Sequence, residues 1–259
     1  ASLKLFPMLP SRATAVVGLR SPHDAIKLLA RAKEETGGAV EAFELMGRLG
    51  VGFAIRNIPG LREPLEGEHP WYVLVETASG EPGAAEGAME RLLGSALEDD
   101  LIQDAAIAQT ETQAKAFWAV RENQSGGQKA EGAAWKHDVS IPVSRIADFI
   151  DRASAAVVTL DPTLRIVAFG HVGDGNVHYD VLRAEGGSDE AHNARRDEGS
   201  RIVHDIVASM DGSISAEHGL GAAKTADALR YKSGVEVEAL RAIRSALDPK
   251  RIMNPRVLF

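Results

Sequence analysis

The chain has 259 residues, a formal net charge of −8 and no cysteine. The acidic balance argues against a nonspecific nucleic-acid face and against docking on anionic membrane surfaces. The missing thiols exclude a disulfide framework, a thiolate metal site and a cysteine nucleophile.

Apolar residues make up 44% of the sequence, enough for a core without staples, and the length fits one large domain or two small ones. No apolar run reaches about 18 residues, so no transmembrane helix is expected. Residues 1–10 lack the basic-then-apolar pattern of a signal peptide. Ser2-Leu3-Lys4-Leu5-Phe6 alternates as a strand with no turn before it. That is the look of a chain cut from something longer, or of an edge strand at a true terminus.

In chain order, residues 13–19 read as a strand. Ser21 then caps a helix whose first position is Pro22, with Ile26, Leu28, Leu29 and Ala32 as its apolar stripe and Gly37-Gly38 as its end. Residues 40–45 read as a strand, followed by a Gly-rich, poorly patterned stretch to Gly60. Residues 61–70, with Pro64, Gly67 and Pro70, are the most linker-like part of the chain. Strands are expected at 71–77 and 101–109, and helices at 84–98 and 112–122, the last ending at Gln124-Ser125-Gly126-Gly127. A strand at 136–141 and an amphipathic helix at 143–158 follow. Then come strands at 165–169 and 177–182, a long helix at 191–210, a strand at 212–216 and a helical tail from 222 to Asp248-Pro249. This repeated β-α-β-β-α-β rhythm predicts an α+β, ferredoxin-like antiparallel sheet with packed helices and a helical C-terminal segment. The expected division is 1–230 for the α+β domain and 231–259 for the helical segment.

The most informative stretch is His171-Val172-Gly173-Asp174-Gly175-Asn176-Val177-His178. Asp174-Gly175 between two apolar strands signals a two-residue hairpin of type I′. With those two residues as the central pair, His171 faces His178 on one sheet face, Cβ atoms roughly 4.5–5.5 Å apart. Two imidazoles so placed can share a metal ion; they are also met as a simple packed pair. A catalytic zinc typically takes a third protein ligand, and Glu217-His218, ahead of Gly219-Leu220-Gly221, is the best source of one. Asp174 is explained by its turn. His23, His69, His137, His192 and His204 read as ordinary core or surface residues.

Three stretches taken together resemble the C-terminal half of the FAD-linked oxidases of the vanillyl-alcohol-oxidase type. They are the hairpin 171–178, Ala216-Glu-His-Gly-Leu-Gly-Ala-Ala-Lys224 and Asp248-Pro-Lys-Arg-Ile-Met-Asn-Pro255. That group includes D-lactate dehydrogenases, D-2-hydroxyglutarate dehydrogenase and the glycolate oxidase flavin subunit. The resemblance runs the length of the chain and implies a C-terminal fragment that lacks the family's FAD-binding domain, which makes most flavin contacts and would be its partner. It implies a divalent metal, usually zinc, held by His171, His178 and Glu217, with His218 beside the flavin as general base. It also implies Arg121, in Trp118-Ala-Val-Arg121-Glu122, and Lys136, after Trp135, as a clamp for the substrate carboxylate, with Ser125 assisting. Asn176, Glu217, His218 and Asn254 fall on the cofactor side. Some members carry Asn where this chain has Asp180, a departure that bears on substrate preference or on the metal.

The implied reaction is oxidation of a small D-2-hydroxy acid to the 2-oxo acid by hydride transfer to flavin, with an electron acceptor the sequence does not name and a homodimer left open. The implied compartment is the cytoplasm, the inner-membrane periphery or, in a eukaryote, the mitochondrial matrix. Read on the residues alone, Arg121 is also a helix-end cation pairing with the dipole, Lys136 a solvated strand-edge lysine, Lys224 a surface lysine, and Asn254-Pro255 a turn. The alternative functions are a non-catalytic ferredoxin-like interaction module and a stand-alone His/Glu metal hydrolase.

Overall fold

The computed structural model describes residues 2–5 and 9–257. The elements in order are β1 (Ser11–Leu19), α1 (Pro22–Glu35), β2 (Val40–Gly47), α2 (Arg48–Asn57), β3 (Trp71–Ser79), α3 (Ala84–Glu98), β4 (Asp104–Ile107), α4 (Glu111–Glu122) and α5 (Gln124–Gln128). There follow β5 (Ala134–Ser140), α6 (Ile146–Leu160), β6 (Arg165–His171), β7 (Asn176–Leu182), α7 (Asp189–Ala194), α8 (Arg196–Ser209), α9 (Thr225–Tyr231) and α10 (Gly234–Leu247).

Seven strands form one antiparallel sheet in the order β4-β1-β3-β2-β6-β7-β5. The order β4-β1-β3-β2 is a complete ferredoxin-like unit. The second half repeats it as β5, α6, β6, β7 and α8, but its fourth strand shrinks to a single bridge, Ser140 with Ser213. The strand expected at 212–216 is therefore mostly absent. After Ser213, Ala216 N donates once more to Asp138 O, and the chain then turns away. The two units join edge to edge where β2 meets β6.

Alternation along the strands sets two faces. Ala13, Ala15, Val17, Leu19, Phe43, Leu45, Val73, Val75, Val177 and Tyr179 pack beneath α1, α3, α6 and α8 in the main core. On the opposite face, Val16, Met46, Tyr72 and Leu74 meet Val51 of α2 and Val120 of α4, and Phe53 of α2 meets Val167, Phe169 and Leu182. Those helices cover the second face of the first unit and reach only part of the second. The rest of that face carries the polar residues described below.

Local signals held where capping chemistry was explicit. Ser21 Oγ accepts from Asp24 N ahead of Pro22, and Gly37 and Gly38 end α1 with positive φ. Helix α2 was not expected, because its glycines read as loop. Gly50 is used for close approach instead, since a Cβ there would lie 2.5 Å from Gln124 Oε1 and 2.9 Å from a Val167 methyl. The helix expected at 191–210 is broken at Arg195 into α7 and α8. The His192 carbonyl accepts from Trp135 Nε1 at 2.9 Å and from Arg195 N three residues on, which draws it out of the regular helical ladder. Residues 2–5 have no strand structure, and Phe6, the rest of that expected strand, lies outside the described residues. Among the described residues no helix is long and apolar enough to cross a membrane.

Three histidines are buried in this fold. His137 Nδ1 donates to Tyr179 O at 2.6 Å and its Nε2 meets Ser200 Oγ; His192 stacks on Trp135 and its Nε2 donates to Val181 O; His204 packs against His137 and Tyr231. Burial lowers all three pKa values, that of His137 to about 3. A depressed folded-state pKa gives stability that is fully present above the unfolded value, about 6.5, and is lost as pH falls toward the folded one. His137 alone should cost about 2 kcal/mol of stability at pH 5. Urea unfolding at pH 7.5 and pH 5 should show the loss in the wild type and a smaller one in His137→Gln. Equal losses in both would contradict the assignment.

Candidate active site

The polar cluster is built by strand register. On the second face, His178 pairs with Asp138 and with Phe169, Asp180 pairs with Lys136, and Glu44 pairs with His171. The expected turn is corrected here. Asp174 does not take the positive φ that a type I′ turn requires, and only Gly175 is left-handed, at φ +84°. A 3₁₀ turn over Val172–Asp174 lengthens the loop, so His178 lies opposite Phe169 and not opposite His171. The slip is two residues, and side chains alternate with period two. His171 and His178 therefore still share a face.

The Glu217 carboxylate reaches both imidazoles, Oε1 lying 3.5 Å from His171 Nε2 and Oε2 3.8 Å from His178 Nε2. These separations are too long for hydrogen bonds. They sit just beyond the ~3.3 Å between two donors that share a tetrahedral zinc with ligand distances near 2.0–2.1 Å.

Behind each imidazole stands a buried carboxylate. Glu44 Oε1 accepts from His171 Nδ1 at 2.6 Å, while Asp138 Oδ1 lies 3.8 Å from His178 Nδ1. Asp138, His178 and Glu217 also form a group whose donor atoms all lie within 4.8 Å, a set that includes Asp138 and leaves out His171. Within that group Asp138 is already engaged by other donors. Its Oδ1 accepts from Asn176 Nδ2 at 2.8 Å, and its Oδ2 accepts from Glu217 N and His218 N at 3.0 and 2.9 Å. It also faces the ring nitrogen of His178 opposite to the one that faces Glu217. Burial opposes the charge on Asp138, but those donated hydrogen bonds outweigh it and hold the carboxyl below its ordinary range. Burial pushes His178 down to about 4, against the pull of Asp138, so its ring is neutral and able to ligate near pH 7.

The cleft over this cluster has a volume of about 430 Å³, and its walls include Arg121, Ser125, Lys136, His171, His178 and His218. The sequence had singled out each of those six. Arg121, buried at the end of α4, donates from Nε to Glu44 Oε2 at 2.8 Å, and its guanidinium lies 5.1 Å from the centre of the Phe169 ring. Ser125 and Lys136 are exposed to the cleft. The His218 ring is exposed, stacks with His178 at 5.6 Å between centroids, and has Nδ1 3.6 Å from Asp138 Oδ2. Asp180 is buried on the cleft floor, and burial pushes its carboxyl up to about 6 against the charge of Lys136.

Lys224 is no surface lysine: it is half-buried in the cleft wall and donates to Ile214 O. Asn176 is buried with its amide nitrogen committed to Asp138. Asn254 has φ +44° in the turn after α10, and its carbonyl accepts from Val257 N. It is not brought to the cleft wall.

Glu44 and Asp138 were missed. The signal was partial: Asp138 is the one carboxylate of its strand, and Glu44 stands between Phe43 and Leu45, where a charge that is buried needs partners.

Residues 9–258 match the protein family described as FAD linked oxidases, C-terminal domain. The chain is 33% identical over 249 residues to "Probable D-2-hydroxyglutarate dehydrogenase, mitochondrial" of Oryza sativa subsp. indica, covering 95% of this chain and 43% of the relative. It is 31% identical to the mitochondrial D-2-hydroxyglutarate dehydrogenase of Arabidopsis thaliana, with 96% and 43% covered. The chain thus spans less than half the length of these two relatives. Among solved structures, p-cresol methylhydroxylase with substrate bound superposes with a TM-score of 0.67 at 13% identity, covering 96% of this chain and 52% of that one. That likeness establishes the fold.

The three donors on Asp138 tie the segment carrying Glu217 and His218 to β5. Asp138→Asn puts an N–H where an acceptor is needed and should destabilise the fold by ~1–3 kcal/mol. Hydrogen exchange should show the Glu217 and His218 amides opening faster while the strands around β1 and β3 stay protected. Unchanged protection at 217 and 218 would contradict the tie.

Proposed function

The chain belongs to the C-terminal domains of the FAD-linked oxidases, and from that membership and the donor set in the cleft we propose that it is the substrate- and metal-holding portion of an FAD-dependent dehydrogenase. The reaction is oxidation of a D-2-hydroxy acid to its 2-oxo acid. The observation that carries this reading is the Glu217 carboxylate, with one oxygen turned to each of two imidazole Nε2 atoms beneath a cleft walled by Arg121, Lys136 and His218.

His171, His178 and Glu217 would hold a divalent ion, and two imidazoles with a carboxylate suit zinc. When bound, the ion supplies a Lewis acid for the substrate hydroxyl and the flavin supplies the hydride acceptor. The chain's own residues do the rest. Arg121, with Nε held by Glu44, keeps the outer edge of its planar fork for the substrate carboxylate. Lys136 adds a second positive charge, and Ser125 adds a hydroxyl donor from the cleft wall. His218 takes the hydroxyl proton at Nε2, since its Nδ1 faces Asp138, and the charge that develops then sits beside a buried carboxylate. Asn254 belongs to the cofactor side, contributed by the C-terminal segment 231–259, while 1–230 forms the substrate domain. The work is done in an aqueous compartment, cytoplasm or mitochondrial matrix.

The test is anaerobic flavin reduction in a flavin-loaded protein carrying this chain. D-2-hydroxyglutarate, D-lactate or a related D-2-hydroxy acid should bleach the flavin, and a chelator should slow the bleaching. Arg121→Met should lower kcat/KM about 100-fold or more, the loss expected for a charge-assisted bidentate contact worth ~3 kcal/mol. No bleaching with any 2-hydroxy acid of two to six carbons would defeat the reading.

A further inference from the structure

We infer that Glu44 is a positioning residue that sets, through one buried carboxylate, both the ring tautomer of His171 and the direction of Arg121. The inference rests on the proposed function for its consequence and on the geometry around Glu44 for its content.

Glu44 sits on β2, which belongs to the first ferredoxin-like unit, and it is 3% exposed. A carboxylate so deeply placed must be paired. Both oxygens are used: Oε2 accepts from Arg121 Nε at 2.8 Å, and Oε1 accepts from His171 Nδ1 at 2.6 Å. A carboxylate paired with an arginine only accepts. His171 must then carry its proton on Nδ1, which leaves the Nε2 lone pair pointing toward Glu217, 3.5 Å away. The same carboxylate fixes the inner edge of the Arg121 guanidinium, while Phe169 supports its flat face. One side chain from the first unit thus sets the angle of a metal-side group and of a carboxylate-side group in the second half of the site. The spacing between the two substrate handles follows from it.

Glutamine at this position keeps the shape and changes the chemistry. Its carbonyl can accept from Arg121 Nε, and its amide nitrogen must then donate toward His171 Nδ1. The imidazole answers by moving its proton to Nε2, the nitrogen that faces Glu217. The tautomer is therefore a readout specific to positioning, one that a packing role would not move.

The experiment is long-range ¹H–¹⁵N correlation of the ¹⁵N-histidine-labelled 259-residue chain without metal, at a pH high enough for neutral imidazoles. The wild type should show His171 protonated on Nδ1, and Glu44→Gln should show it protonated on Nε2. A wild-type His171 protonated on Nε2 overturns the inference on its own, even if the variant fails to fold. An unchanged tautomer in a folded Glu44→Gln chain overturns it as well. Zinc titration of the same samples against a chromophoric chelator separates this inference from the metal reading. Weakening by about 10–100-fold in Glu44→Gln, with the wild type and His171→Ala as references, supports the positioning role. A wild type that binds no zinc defeats the metal reading, while the predicted tautomer switch in those samples still upholds Glu44.

Discussion

Strands β2 and β6 pair over three residues, Glu44 with His171, Leu45 with Gly170 and Met46 with Phe169, and this short seam makes one sheet of two ferredoxin-like units. Its register decides what the site contains. Directly opposite pairs share a sheet face, so the seam brings a carboxylate of the first unit against an imidazole of the second. A slip of one residue would turn Glu44 into the main core and separate it from both His171 and Arg121. Gly170 protects that register, because a Cβ there would fall 2.6 Å from the Asn176 carbonyl of the returning strand.

The second constraint is the pairing of each imidazole with a buried carboxylate. Glu44 backs His171 and Asp138 backs His178, each at Nδ1, so both Nε2 atoms are turned toward Glu217. Carboxylates of this kind are costly to bury, and here that cost is met by Arg121 on one side and by Asn176 and two main-chain donors on the other. Helices α4 and α5 border the cluster through Arg121 and Ser125, which line the cleft. Helix α2 spans the seam, packing Val51 against the first unit and Phe53 against Val167, Phe169 and Leu182 of the second, and the remainder of the face becomes the floor of the cleft. A hydrolase built on the same residues could use ion-bound water as its nucleophile, so it is the family match and not the donor set that favours the oxidation reading. Among the described residues, Asp138, His178 and Glu217 form the one group of three or more possible ligands that lie close together.

Much of this was legible from residue types. The β-α-β-β-α-β rhythm gave the repeated unit, and alternation put His171 and His178 on one face even though the turn was longer than expected. That outcome survived because a two-residue slip preserves parity, which the dipeptide Asp174-Gly175 does not itself guarantee. Arg121, Ser125, Lys136 and His218 converge on one cleft, as the resemblance implied. What stayed hidden depends on partners far away in sequence. Glu44 lies 127 positions from His171, and Asp138 lies 80 from His218, so neither pairing has a local signature. The helix at Arg48–Asn57 was hidden for a related reason: its glycines permit a tertiary approach and so look like loop until the neighbour is known. The loss of the last strand of the second unit reflects Asp138 capturing the Glu217 and His218 amides, which turns the chain off the sheet.

We propose that His171, His178 and Glu217 form a single cation site at the cleft floor. Anomalous diffraction at the zinc edge, from crystals of this chain soaked in zinc, tests it most directly. The account predicts one strong peak within bonding distance of His171 Nε2, His178 Nε2 and Glu217, with Glu44 and Asp138 still on the two Nδ1 atoms. A peak ligated by Asp138 in place of His171, or a cleft floor without zinc, would contradict it.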